Sequence, residues 1–289
     1  MLSLHTNAAS LSAQNSLSRT QSALSTSMTR LSTGYRINSA MDDAAGLQIA
    51  TRLKAQSSGM AVAMRNTQNS TSMLQTADGA LGEVSNILTR MKDLATQAAD
   101  ASSTANDKSA MQSEYDALGS ELNNIMNNTT FGGSKLLKGG TVASKMTFQI
   151  GASSGETMTL DLSASGTSDM DNLDTALGNV SGNYTTPNGT GSELTGGNAN
   201  ATIDKISTAL DKLGATRSAL GGAANRLDHV YNNLANISSN TQAATGRIMD
   251  VDFATESSSM TSNQMLMQAG TAMLKQTNSM SSMVMSLLQ

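Results

Sequence analysis

The chain has 289 residues, no cysteine or tryptophan, four tyrosines, three phenylalanines, 20 methionines and a formal net charge of −4. Without cysteine there are no disulfides, no thiol catalysis and no Cys-ligated zinc, and scattered Lys and Arg without aromatic platforms argue against nucleic acid as a partner. The single proline, Pro187, stands where average usage would give roughly fourteen, so nearly the whole chain is free to be helical.

The N-terminus carries neither the basic stretch nor the apolar core of a cleaved signal peptide. No apolar run reaches the length that spans a bilayer, so membrane insertion is not expected. Leu4, Ala8, Leu11, Leu17, Leu24, Met28 and Leu31 form a helical stripe opposed by Ser, Thr, Asn and Gln, and Gly34 marks its end. Ser39, followed by Asp42 and Asp43, predicts an N-cap and acidic first turn. The helix it opens runs through Leu47, Ile49, Leu53, Met60, Met64, Leu74, Leu81, Val84, Leu88 and Met91 to about Ala99.

After a polar segment from Asp100 to Asp107, Met111, Tyr115, Leu118, Leu122, Ile125 and Met126 predict a third helix, and Phe131-Gly-Gly a loop. The period then drops to two, with Met146, Phe148 and Ile150 before the turn Gly151 to Glu156 and Met158, Leu160 and Leu162 after it. This pattern predicts a hairpin. From Ser163 to Asn200 Gly, Ser, Thr and Asn dominate, and composition allows either a small module or a long loop.

From Ile203 to Ile248 apolar residues recur at sevens: Ile206, Leu213, Leu220, Leu227 and Leu234, skipping Thr241 and returning at Ile248. A second series runs Ile203, Leu210, Arg217, Ala224 and Tyr231. A seven-residue repeat sustained this long implies left-handed supercoiling against partner helices. Asp250-Val-Asp252 interrupts the stripe. A last helix follows with Leu266, Met273, Met280, Met283 and Leu287, beside a second row of Met260, Met267 and Leu274. Both chain ends are too apolar to stay exposed and too weak to stand alone, so they are expected to pair. The fold class expected is mainly α: a long antiparallel helical coiled-coil rod with a small β-hairpin region.

Catalytic chemistry is not expected. His5 and His229 stand far apart in sequence and away from ligand spacing, and Asp42, Asp43, Asp250 and Asp252 read as helix caps before they read as a metal or acid/base set. Walker, HExxH and GxSxG motifs are missing. The helical spacing of the methionines suits packing better than a soft metal. We expect no cofactor.

The segment Thr29 to Ala50, TRLSTGYRINSAMDDAAGLQIA, closely resembles bacterial flagellins. So do Asn225 to Asn236, NRLDHVYNNLAN, then Gln268-Ala-Gly-Thr271, Ser286-Leu-Leu-Gln289 and Phe148-Gln-Ile-Gly-Ala152. The resemblance covers about residues 1–165 and 200–289. It implies a hairpin-shaped subunit divided into an N-terminal inner helix (1–40), the first part of an outer rod with the hairpin (41–165), a short variable loop or module (166–200), the returning rod helix (201–250) and a C-terminal inner helix (251–289).

By the same resemblance the chain is a structural, non-enzymatic subunit of the extracellular flagellar filament, used for motility. Its implied partners are copies of itself, the flagellar export apparatus and an export chaperone, the filament cap and the hook-filament junction proteins. Assembly is expected to use Leu4, Leu11, Leu17, Leu24, Met28, Leu31, Leu266, Met273, Met280, Met283 and Leu287. Immune contacts carry over as well. Arg90, Leu94 and Glu114 match positions that meet the Toll-like flagellin receptor, while Arg30, Asp42 and Asp43 lie in the segment sensed by plant pattern receptors. That segment departs from the common pattern at Thr29, Tyr35 and Met41. The alternative reading is a hook-filament junction protein, which shares the terminal helices but does not normally carry the full Thr29 to Ala50 segment.

Overall fold

The computed structural model describes residues 7–163 and 170–287. Leu4, Gln289 and the side chain of Leu287 lie outside what is described. The helices are α1 (Ala8–Thr33), α2 (Ala44–Ala99), α3 (Ala105–Asn128), α4 (Met170–Val180), α5 (Gly182–Thr185), α6 (Ala199–Met249) and α7 (Phe253–Leu287). The strands are β1 (Thr130–Phe131), β2 (Ser134–Lys135), β3 (Met146–Gln149) and β4 (Thr157–Leu160). The chain divides into two compact units, Ser58–Ser238 and the two chain ends on either side of it.

In the central unit α2 buries Met60, Ala63, Thr67, Leu74, Ala77, Leu81, Val84, Leu88, Met91, Ala95 and Ala98, spaced by threes, fours and one seven. On α6 the matching seam is Thr202, Ile206, Ala209, Leu213, Thr216, Leu220, Ala223, Leu227 and Leu234. The two helices run antiparallel: Met60 and Ala63 cluster with Leu234, and farther along α2 Asp78 Oδ1 accepts from Arg217 Nε at 2.8 Å. The five-member series from Ile206 to Leu234 is buried throughout, as its spacing predicts.

The second series needs correction. Ile203, Leu210, Arg217, Ala224 and Tyr231 are only half-buried, and the seam runs one residue earlier through Thr202, Ala209, Thr216 and Ala223. Small side chains there alternate with the large ones of the first series, and counting apolar bulk favours Ile203 over Thr202 and Leu210 over Ala209. The buried threonine hydroxyls donate to carbonyls four residues back, Thr67 to Ala63 at 2.8 Å and Thr216 to Lys212 at 3.0 Å, so they enter the seam without an unpaired donor.

α3 begins inside the segment expected to be polar coil. Thr104 and Asp107 form a reciprocal capping box, with Thr104 N donating to Asp107 Oδ2 at 3.0 Å and Asp107 N to Thr104 Oγ1 at 3.3 Å. Phe131-Gly-Gly is a tight hairpin rather than a loop: β1 and β2 pair antiparallel, and Gly132 and Gly133 adopt φ of 59° and 85°. Two successive left-handed residues favour glycine and match the twist of the flanking strands. The predicted second hairpin is present, β3 and β4 pairing Met146 with Leu160 and Phe148 with Met158. Met146, Phe148 and Met158 face the core.

Of the two options open for residues 163–200, the described part is a packed module. α4 buries Met170, Leu173, Ala176, Leu177 and Val180, and Tyr184 of α5 is fully covered. α3 clasps the segment through Tyr115, whose hydroxyl donates to Val180 O at 2.8 Å, and Asn123, whose Nδ2 donates to Tyr184 O. Gln112 adds a polar tie, its Nε2 donating to Asp116 Oδ1 and Glu193 Oε2 at 2.8 Å each while its Oε1 accepts from Leu194 N.

Burial pushes the Tyr115 phenol far above its ordinary value of 10.0, and the nearby charges of Glu193 and Asp116 add to the shift. Tyr184 moves the same way, chiefly through burial and then through donation to Asp174. A folded-state pKa above the unfolded one contributes stability that is intact below pH 10 and is lost as pH rises. In an ultraviolet titration, two of the four tyrosines should therefore ionise only with alkaline unfolding. Four tyrosines ionising together near pH 10 in folded protein would contradict this.

Candidate functional site

The terminal unit holds the surfaces on which a structural role would depend. α1 starts from Asn7, whose Oδ1 accepts from Ser10 N, and stops at Gly34, a left-handed cap with φ of 76° whose N–H donates to Arg30 O. The following turn is braced against the stretch joining α6 to α7. Arg36 N donates to Met249 O at 2.6 Å, Val251 N to Gly34 O at 3.0 Å, and Arg36 Nη2 to Ile248 O at 2.9 Å. These bonds set α1 and α7 side by side and antiparallel, and Arg30 Nη1 stands 3.6 Å from Glu256 Oε2 near the brace.

The paired faces follow a three-four rhythm. On α1 they are Ser10, Ala13, Leu17, Thr20, Leu24, Ser27 and Leu31; on α7 they are Glu256, Met260, Asn263, Met267, Gly270, Leu274 and Thr277. The helices come close at Gly270, where an added Cβ would stand 3.3 Å from Leu17 Cδ1. Among the described residues of α1 and α7 only Leu24 and Ser27 are fully buried.

This geometry divides the assembly residues expected from sequence. Leu17, Leu24 and Leu31 belong to the α1–α7 seam. Leu11, Met28, Leu266, Met273, Met280 and Met283 do not: Met273 is 62% exposed and Met280 53%. The α7 row that pairs with α1 is Met260, Met267 and Leu274, and the row of Leu266, Met273 and Met280 lies outside that seam. Apolar periodicity identifies both rows but cannot say which faces the intramolecular partner. α7 thus carries one half-covered face and one open apolar face.

The residues with expected immune contacts also separate. Arg90 and Glu114 form a surface ion pair, Arg90 Nε donating to Glu114 Oε1 at 2.8 Å with both side chains about half exposed. Leu94 is buried, 2% exposed within the core of the central unit, so it offers no surface to a second protein. Arg30 is engaged with Glu256.

Asp42 and Asp43 are both occupied in capping. Asp42 Oδ2 accepts from Ser39 N and then from Asn38 N, bonds that hold its carboxyl below the usual carboxylate range. Asp43 Oδ1 accepts from Gly46 N at 2.9 Å. The N-cap of α2 is therefore Asp43 rather than Ser39, whose role is to close the preceding turn. Gly46 leaves room for this cap, since an added Cβ would press on the Asp43 carboxylate and Ile37 Cδ1.

Among the described residues no group of three His, Cys, Asp or Glu side chains could hold a metal ion, and no helix is long and apolar enough to cross a membrane.

Comparison with known proteins adds independent information. The family model for the bacterial flagellin N-terminal helical region matches residues 4–142, and that for the C-terminal helical region matches residues 203–288. Flagellin A of Vibrio cholerae is 34% identical over an alignment of 380 positions that covers all of both chains. Polar flagellin F of Vibrio parahaemolyticus is 44% identical over 161 residues, 56% of this chain and 42% of that protein. A crystal structure of Bacillus cereus flagellin, 35% identical, covers 63% of this chain and 94% of that one with a TM-score of 0.46. The two matched regions take in the capped turn after α1 and the whole of α6 from Ile203. The chain belongs to the bacterial flagellin family, whose members are structural proteins of the flagellum and not enzymes.

Proposed function

We propose that this chain polymerises with copies of itself into a helical flagellar filament, the terminal α1–α7 pair forming the inner layer. The observation that carries this reading is the open apolar row of α7, Leu266, Met273 and Met280, together with Leu11 and Met28 on α1. Isolated exposed apolar residues are ordinary on a protein surface, but a row repeated at helical spacing is a surface that a partner covers. Where such a row meets a different face of the next identical subunit and the rotation does not close into a ring, the contact propagates as a filament.

The partners follow from the same reading: the flagellar export apparatus, an export chaperone, and the cap and hook-filament junction proteins at the two ends of the polymer. The filament is extracellular. On this reading the free subunit is also an innate-immune ligand, and the exposed Arg90–Glu114 pair is what supports contact with a Toll-like receptor there. Plant receptors would read the Thr29 to Ala50 segment, where Asp42 and Asp43 are exposed and each carries one carboxylate oxygen outside its capping bonds. A junction protein is the second reading, and the complete Thr29 to Ala50 segment favours the filament.

The direct test is negative-stain microscopy of the purified chain after addition of ammonium sulfate. Long uniform filaments are expected. A chain that stays monomeric across the whole range of precipitant would overturn the proposal.

A further inference from the structure

Pro187-Asn188-Gly189 forms an exposed turn on the surface of the central unit, and Asn188-Gly189 is the one Asn-Gly pair in the sequence. Asn188 is also the one non-glycine residue with positive φ, 66°, among the described residues. The turn is tethered on either side: Asn188 N donates to Ser120 Oγ at 3.4 Å, and Gly191 N donates to Asp116 Oδ2 at 3.0 Å. Between these tethers the Gly189 N–H and the Asn188 carboxamide make no hydrogen bond among the described residues.

We propose that Asn188-Gly189 is a self-modifying site, at which the chain converts an asparagine to aspartate and isoaspartate without an enzyme. The Gly189 backbone nitrogen, losing its proton to base, attacks Asn188 Cγ. An N–Cγ bond forms, the Cγ–Nδ2 bond breaks, and the amide nitrogen leaves as ammonia. Water then opens the cyclic imide at either carbonyl, giving aspartate with the original main chain or isoaspartate with one added methylene.

Three features favour the reaction here. Glycine has no Cβ to crowd the attacking nitrogen, that nitrogen carries no competing hydrogen bond, and solvent reaches both residues. The product adds one negative charge to a chain of net −4, on a loop whose Gly191 N–H is already bound to Asp116. The isoaspartate form also lengthens the main chain between the two tethers and works against both of them.

Asn38 is an internal control. It is exposed and followed by Ser39, but its Nδ2 donates to Tyr35 O at 2.8 Å and the next nitrogen, Ser39 N, is bonded to Asp42. The variant to compare is Gly189→Ala, in which the new Cβ would stand 3.1 Å from Asn183 Oδ1, a contact met by a small adjustment.

The experiment incubates the full chain in mildly alkaline buffer, locates amide-to-acid conversion by peptide mass spectrometry and labels isoaspartate with a protein isoaspartyl methyltransferase. Conversion should appear at residue 188 ahead of every other asparagine, rise with pH, yield both products, and be largely lost in Gly189→Ala that retains the parental circular dichroism. Conversion at 188 no faster than at Asn38, or at the parental rate in Gly189→Ala, would overturn the proposal.

Discussion

Met273→Asp combined with Met280→Asp should abolish polymerisation and leave the central unit folded. Both side chains lie on the open face of α7, so the exchange disturbs neither the α1 seam nor the core of residues 58–238. Covering a methionine contributes about 1.5 to 3 kcal/mol, and placing an unpaired carboxylate in the same contact costs several more. A loss of roughly 6 kcal/mol per subunit contact corresponds to about four decades in the concentration needed to assemble. Met273→Ala with Met280→Ala removes the apolar contact without the charge and should give filaments only at raised concentration. Sedimentation under conditions where the parent polymerises reads both. Parental filaments from the aspartate pair would show that this face does not drive assembly.

Leu94→Ala is expected to be the most damaging of the substitutions suggested by the immune resemblance, and for a reason unrelated to recognition. The side chain is enclosed in the core, where shortening leucine to alanine typically costs about 2 to 5 kcal/mol because the cavity closes only in part. Arg90→Ala breaks a surface ion pair worth about 0 to 1 kcal/mol, so the protein should unfold at nearly the parental urea concentration. The two variants should thus part in denaturation. Weaker receptor signalling by Arg90→Ala at unchanged stability would then report contact, whereas the same loss in Leu94→Ala would report a weakened core. Equal denaturation midpoints for Leu94→Ala and the parent would contradict its buried placement.

Long elements were legible in the sequence because their signals are long. Five positions at seven-residue spacing from Ile206 to Leu234 specify one buried stripe, Gly34 ends α1 where a left-handed residue is needed, and alternation at Met146, Phe148, Met158 and Leu160 gives a hairpin. Shorter signals were lost in their surroundings. α4 places Met170, Leu173 and Leu177 on one face, but its few turns sit among Gly, Ser and Thr that read as coil. Thr202, Thr216 and Ala223 escaped notice as seam residues because they are small or polar, although burial at helix contacts depends on fit as much as on apolarity.

The candidate site shows the same boundary. Periodicity found both rows of α7. Which row meets α1 depends on how α1 and α7 are turned by the Arg36–Met249 and Gly34–Val251 hydrogen bonds, and those join residues more than two hundred positions apart. For Leu94 the difficulty was opposite: the motif around it suggested a contact, while its place between Met91 and Ala98 on the α2 seam already matched the core spacing.

The most direct test of assembly through the open face of α7 is methionine oxidation by dilute peroxide, followed by peptide mass spectrometry in monomer and in filament. Sulfoxide formation tracks solvent access to sulfur. In the monomer, Met273 and Met280 should oxidise nearly as fast as Met41, which is 96% exposed, while fully buried Met91 stays slow. In the filament, Met273 and Met280 should slow on the order of tenfold or more as neighbouring subunits cover them. Equal oxidation of both residues in monomer and filament would contradict the account.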